Sequence, residues 1–223
     1  MQIGIIGAGN IGGNLTRRLT ALGHSVAVAN SRGPETLRDL AAETGATAVA
    51  ADQAATGADL VVLTIPQAKV AGLSRDTLAS LQLTPVVVDT GNYYPQQRDG
   101  GIAAIEDGAT ESGWVQEQLG RPVIKAFNGI EAAHLLTHGR EVGAPGRRAL
   151  PVAGDDPTAK AVVLEIVEAL GFDAVDAGSL ADSWRQQPGT PVYGAQAGRE
   201  EIERALATAS PERTPDWRAL PSA

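Results

Sequence analysis

The chain of 223 residues has no cysteine, which excludes disulfides, thiolate metal sites and cysteine nucleophiles. Aromatic residues make up only 4%, too few for base-stacking platforms. Basic clusters are equally scarce. Nothing exceeds the pairs Arg17-Arg18 and Arg147-Arg148, and the formal net charge is −8, the wrong balance for a nucleic-acid surface. No apolar run approaches the roughly 20 residues that cross a bilayer. An apolar strand starts almost at Met1, where a signal peptide would need its own charged and apolar regions. A cytoplasmic location without membrane contact is the expectation. Two of the 3 histidines, His134 and His138, stand four apart, a spacing that can chelate a metal. No third ligand lies near them and no HExxH pattern is present, so no metal site is expected.

Glycine is plentiful and placed in order. The apolar run Ile3 to Ile6 reads as a buried strand and breaks into Gly7-Ala8-Gly9-Asn10-Ile11-Gly12. Leu15, Leu19 and Leu22 then recur at helical spacing until Gly23, and Val26 to Ala29 reads as a second strand. Strand, GxGxxG turn, helix and strand in about thirty residues make the dinucleotide-binding fingerprint. Gly7 permits the tight turn, Gly9 lets a pyrophosphate approach the backbone, and Gly12 lets the helix sit against the sheet. The helix N-terminus offers free N–H groups and a positive dipole end to the phosphates.

The end of the second strand selects the nucleotide. An NAD site places a carboxylate there for the ribose 2′-hydroxyl. This chain has Asn30-Ser31-Arg32, with no carboxylate before Glu35. A hydroxyl and a guanidinium fork suit a 2′-phosphate, so NADP is expected over NAD.

Further along, a helix is expected from Pro34 to about Thr44, a strand over Thr47 to Ala50, and a short helix over Asp52 to Thr56. Strands follow at Asp59 to Ile65, Pro85 to Asp89 and Pro122 to Ala126, with helices at Gln67 to Ser80 and Glu111 to Leu119. Apolar runs without alternation mark strands covered on both faces. The fold class read from this order is α/β: a Rossmann-type doubly wound parallel sheet with a smaller C-terminal α/β lobe. The domain expectation is 1–138 for NADP binding and 139–223 for the lobe. Ligands of such sheets lie at the carboxyl ends of the strands. Thr64, Ile65 and Pro66, then Thr90 and Asn92, then Ala126, Phe127 and Asn128 are therefore expected near the nicotinamide.

A polar loop after Tyr93 is long enough to suggest a lid or binding loop. The lobe is read as a strand at Ala149 to Ala153, a helix at Asp156 to Leu170 with Asp156 as cap, and a strand at Phe172 to Asp176. The Trp184–Tyr193 stretch reads either as a pocket wall or as a contact in a homodimer. A last helix is expected over Arg199 to Thr208, and residues 210–223 read as a mobile tail.

GIIGAGNIGG, Ser31-Arg32, LTIP at Leu63 to Pro66, PVAGDDPTAK from Pro151 and DAGSLADS from Asp176 together resemble the F-420-dependent NADP oxidoreductase family. That family is itself similar to the NADPH domain of six-transmembrane epithelial ferric reductases. The glycine fingerprint alone would also fit pyrroline-carboxylate reductases. The resemblance implies NADP contacts at Ile11, Ser31, Arg32, Pro66 and Ala126, with Phe127 to Ile130 between NADP and a deazaflavin. The chain departs from the family at Asn128 and Gly129, which replace a histidine and a threonine. It departs again at Trp184 to Pro188, where the family has an apolar helix. The implied function is hydride transfer between NADPH and a small-molecule acceptor: the deazaflavin F-420, a flavin or a related ring. A non-catalytic NADP-sensing module and an NADPH-dependent reductase of a small imine or carbonyl are the alternatives. No residue is assigned a catalytic role. Asp89, Tyr93, His134 and Tyr193 are proton-donor candidates by type alone.

Overall fold

A computed structural model describes residues 1–220 of the chain. Six parallel strands form the main sheet: β1 (Gln2–Ile6), β2 (Ser25–Ala29), β3 (Thr47–Ala48), β4 (Leu60–Leu63), β5 (Val86–Asp89) and β6 (Ile124–Lys125). Their order is β3-β2-β1-β4-β5-β6, so the chain reverses direction across the sheet between β1 and β4. This is the doubly wound order with its topological switch point at the first strand.

Side chains alternate between two cores, as the period of a strand dictates. Ile3, Ile5, Leu60, Val62, Val86 and Val88 enter one core with Leu15 and Leu19 of α1 (Asn10–Ala21). Ile6, Val61, Leu63 and Val87 enter the other. That second face is covered by α3 (Ala51–Ala54), α4 (Arg75–Gln82) and α6 (Glu111–Leu119), the third, fourth and sixth helices in chain order. The second and fifth are α2 (Arg38–Thr44) and α5 (Ala103–Glu106), and α7 (Ala132–Thr137) follows β6. Both faces are covered, which explains strands that are apolar without alternation.

Beyond α7, β7 (Ala149–Val152) and β8 (Asp173–Asp176) form a two-stranded parallel sheet around α8 (Pro157–Ala169). Asp156 caps α8, its carboxylate accepting from the N–H groups of Thr158 and Ala159 at 2.8 and 3.0 Å. The small sheet meets the large one through a backbone pair, Lys125 with Ala153. Leu150, Val163 and Phe172 join the same apolar cluster as Ile3 and Leu15. The final helix is α9 (Arg199–Thr208).

Three expected elements differ. The helix expected from Pro34 is a 3-10 turn, Pro34–Leu37, followed by α2; Leu37, at φ −109°, leaves the helical region between them. The helix expected over Gln67 to Ser80 is likewise a 3-10 run, Gln67–Gly72, and then α4. Leu73 is extended there, and the Ser74 hydroxyl accepts from the Thr77 N–H at 3.1 Å, starting a new helix. The tail is docked rather than free as far as residue 219. Gln96 Nε2 donates to the carbonyls of Pro215 and Arg218, and the Ala219 N–H donates to Glu106. Residues 221–223 of the expected tail lie outside the described residues.

Candidate functional site

The carboxyl ends of β1, β2, β4, β5 and β6 share one rim, because Ile6 is level with Ala29 and Leu63, Leu63 with Asp89, and Asp89 with Lys125. All the expected cofactor residues from Gly7 to Asn128 lie just past this rim. The three glycines of the turn answer to different constraints. Gly7 has φ +111°, and a Cβ on it would lie 2.1 Å from the Thr64 carbonyl oxygen. A Cβ on Gly12 would lie 1.9 Å from the Gly7 oxygen. Gly9 has ordinary extended backbone, and a Cβ there would meet nothing within 4 Å. The protein itself does not require Gly9 to be bare, so the open space above it fits a ligand.

The start of α1 points the same way. No side chain caps it and its first turn holds no acidic residue. The Gly13 N–H donates to Gly9 O at 2.8 Å, so the N–H groups of Asn10, Ile11 and Gly12 precede any α-helical acceptor. Such an end attracts an anion. From Ala8, Gly9 and Asn10 a cavity of about 820 Å³ runs along α1 to Arg32, Thr36 and Leu40. Glu43 also lines it, but Arg17 holds that carboxylate with two bonds of 2.7 and 2.8 Å.

Asn30 does not face this cavity as a free group. Its Oδ1 accepts from the Arg32 N–H at 2.8 Å, and its Nδ2 donates to Thr36 Oγ1 at 2.9 Å. Asn30 thus folds the turn that presents Ser31 and Arg32. The exposed Arg32 guanidinium has no hydrogen bond or ion pair among the described residues.

At the other end of the rim, Phe127 has φ +61°, the one positive value for a non-glycine among the described residues. A left-handed bulky residue is strained, and such strain collects at functional sites. Asn128 follows, buried and fully engaged. Its Nδ2 donates to Asn92 Oδ1 at 3.0 Å and to the Gln186 carbonyl at 2.7 Å, while its Oδ1 accepts from Gln186 Nε2 at 3.0 Å. The Trp184–Tyr193 stretch therefore folds onto its own chain: Gln186 clamps Asn128, and the Gly194 N–H donates to Gly129 O at 3.1 Å. Tyr94 and Tyr193 join hydroxyl to hydroxyl, with Trp217 of the tail 5.9 and 6.0 Å from their ring centres. Burial and the Tyr94 bond push the Tyr193 hydroxyl up from its ordinary value, so it keeps its proton. Tyr93 is buried, donating to Glu106 at 2.8 Å and pushed up to about 12.

Behind this end lies a buried charged cluster. Lys125 and Asp89 pair at 3.3 Å, Ser112 Oγ donates to Asp89 at 2.7 Å, and Lys125 also donates to Gly91 O. The fully buried Glu111 pairs at 2.8 Å with Arg213 of the tail. Lys125 sits inside the apolar run Val123 to Ala126, so its burial follows from the strand that carries it. His134 and His138 pack ring to ring at 4.3 Å beside Glu131, and no group of three or more metal-ligating side chains occurs among the described residues.

Burial pushes the Glu111 carboxyl up, against the opposing pull of Lys125 and Arg213. The folded state then binds this proton more tightly than the unfolded chain does. The stability it contributes is present at low pH and is lost as pH rises from the ordinary carboxylate value of 4.5. Glu111→Gln should remove that component. We expect the urea midpoint of the variant, relative to wild type, to move in the variant's favour as the pH rises above 4.5. A difference that stays constant with pH would contradict the assignment.

Comparison with known proteins shows what the chain resembles. The family described as "NADP oxidoreductase coenzyme F420-dependent" matches residues 2–93. A hypothetical protein from Sinorhizobium meliloti is 31% identical, with a TM-score of 0.74 over 89% of this chain and 96% of that one. Over residues 2–93 the chain is similar to the F-420-dependent NADP oxidoreductase family. A protein from Arthrobacter sp. FB24, named for a proposed role as an F420-dependent NADP-reductase, is 26% identical over 80% of this chain and 85% of its own, with a TM-score of 0.68. Rat metalloreductase STEAP3 is 27% identical over 82% of this chain. The chain spans 44% and 35% of the first two curated relatives it matches. Among the described residues no helix is long and apolar enough to cross a membrane.

Proposed function

We propose that this protein is an NADPH-dependent reductase that passes a hydride to a deazaflavin, flavin or related ring acceptor. In this reading residues 1–138 seat NADP and residues 139–223 form a smaller lobe that walls the acceptor. The observation that carries it is the unoccluded backbone at Gly9 under an uncapped helix start, continuous with a cavity that ends at an unpaired arginine. The amides at the start of α1 would hold the diphosphate, and Ser31 with Arg32 would hold the 2′-phosphate. Pro66, Thr90, Asn92, Ala126 and the Phe127 backbone would border the nicotinamide, which supplies the hydride when bound. Asn128 acts by shaping this border, since its side chain is spent on Asn92 and Gln186.

Such transfer depends chiefly on positioning and exclusion of water. The clamped Asn92–Asn128–Gln186 group supplies rigidity for it. The Tyr94–Tyr193 hydroxyl pair favours a second reading, reduction of a small imine or carbonyl, because it offers a protonated donor near the same loop. Oxidation of NADPH, followed by the loss of its absorbance with F-420, FMN, FAD and a cyclic imine in turn, tests both. Turnover with a ring acceptor supports the first reading, and turnover with the imine alone supports the second. No turnover with any of them, despite NADPH binding, would sink the reductase reading in favour of a sensing module.

A further inference from the structure

Four buried side-chain atoms lack a hydrogen-bond partner among the described residues: Gln67 Oε1, Glu111 Oε2, Ser183 Oγ and Gln186 Oε1. They come from three segments that pack together: the turn after β4, the start of α6, and the 3-10 turn Leu180–Gln186. Gln67 Nε2 donates to the Glu111 carbonyl at 2.8 Å, and the Glu111 N–H donates to Gln187 Oε1 at 2.7 Å. Folded proteins leave very few such atoms unpaired, and each one costs the desolvation of its group.

Turning the amides over does not remove the problem. A reversed Gln67 would set its oxygen against the Glu111 carbonyl. Asn128 is fixed in its orientation because its Nδ2 donates to the backbone carbonyl of Gln186. With Asn128 fixed, Gln186 must present Nε2 to Asn128 Oδ1, which leaves its own oxygen unmatched. Three acceptor oxygens therefore remain, and the Ser183 hydroxyl reaches none of them.

We infer that ordered water, buried where these three segments meet, supplies the missing partners. A water donates twice and can accept from a serine hydroxyl, so three bare oxygens and one hydroxyl call for at least two waters. A metal cation suits the site poorly. Lys125 and Arg213 already oppose any further positive charge at Glu111, and the described residues hold no group of three or more His, Asp or Glu ligands. The water has a structural consequence: Gln186, which clamps Asn128 through one end of its amide, is steadied at the other end by solvent.

Ser183→Ala gives a test that turns on a sign. If the hydroxyl bonds to water, the variant melts lower by roughly 2–4 °C for a chain of this size. Alanine favours helical backbone over serine, so a fall cannot come from propensity. An unchanged or higher Tm would mean an unbonded hydroxyl and would overturn the proposal. A high-resolution crystal structure of the wild-type protein gives the second arm. Water within hydrogen-bond reach of at least two of the four atoms supports the site, and a dry interior rejects it. Neither arm uses NADPH, so a failure of cofactor binding would count against the proposed function alone.

Discussion

Arg32→Ala should weaken NADPH binding by roughly 30- to 150-fold while changing NADH affinity by less than about 3-fold. The first figure corresponds to the ~2–3 kcal/mol of charge-assisted hydrogen bonding that a guanidinium makes to a phosphate. The fold gives no reason for a general loss. Arg32 is exposed, and its one hydrogen bond among the described residues is made by its backbone N–H to Asn30 Oδ1, which alanine retains. The turn should keep its shape, and the variant should melt as wild type does. Titration calorimetry with both coenzymes decides the matter. Equal losses for NADPH and NADH would place Arg32 away from the 2′-phosphate and return the choice of coenzyme to an open question.

What was legible in the sequence is what is local in it. The glycine turn, the helix behind it and the Ser31-Arg32 pair lie within about thirty residues, and their spacing alone placed them on one rim. The buried strands were visible as apolar runs, since both faces of the sheet are covered. Breaks inside helical stretches were harder to see. Leu37 and Leu73 are good helix formers, and only the backbone geometry shows that the chain leaves the helix at each.

The far end of the site depends on pairs distant in the chain. Asn128 meets Gln186 across 58 positions, and Glu111 meets Arg213 across 102. Nothing in the sequence around any one of these residues names its partner. Burial gives them meaning, and burial comes from the packing of the lobe against β5 and β6 and of the tail against Gln96, Glu106 and Glu111. The same packing converts an expected mobile tail into a docked segment held by Arg213 and Trp217. Asn30 and Asn128 show the finer limit. Their place past the carboxyl rim of the sheet was readable from position, but whether an amide faces the open site or braces the loop beneath it was not.

The glycines of the turn allow binding and folding to be separated by substitution. Gly9→Val should reduce NADPH affinity at least about 100-fold, equivalent to ~2.7 kcal/mol, because the added methyls occupy the approach to the α1 amides. Its effect on folding should be small. A Cβ at Gly9 meets nothing within 4 Å and the backbone there is extended, so only the weaker capping of valine counts, a fall of about 2–4 °C. Gly12→Ala should do the reverse. Its Cβ would stand 1.9 Å from the Gly7 oxygen and 2.7 Å from Thr64 Cγ2, so α1 must move off the sheet, at a cost of ~3 kcal/mol or more in a close-packed interior. Thermal melts and NADPH titrations of the two variants test this together. If Gly9→Val bound NADPH as wild type does, the diphosphate could not rest on this turn. If Gly12→Ala melted normally, the close contact of helix and turn would not be a condition of the fold.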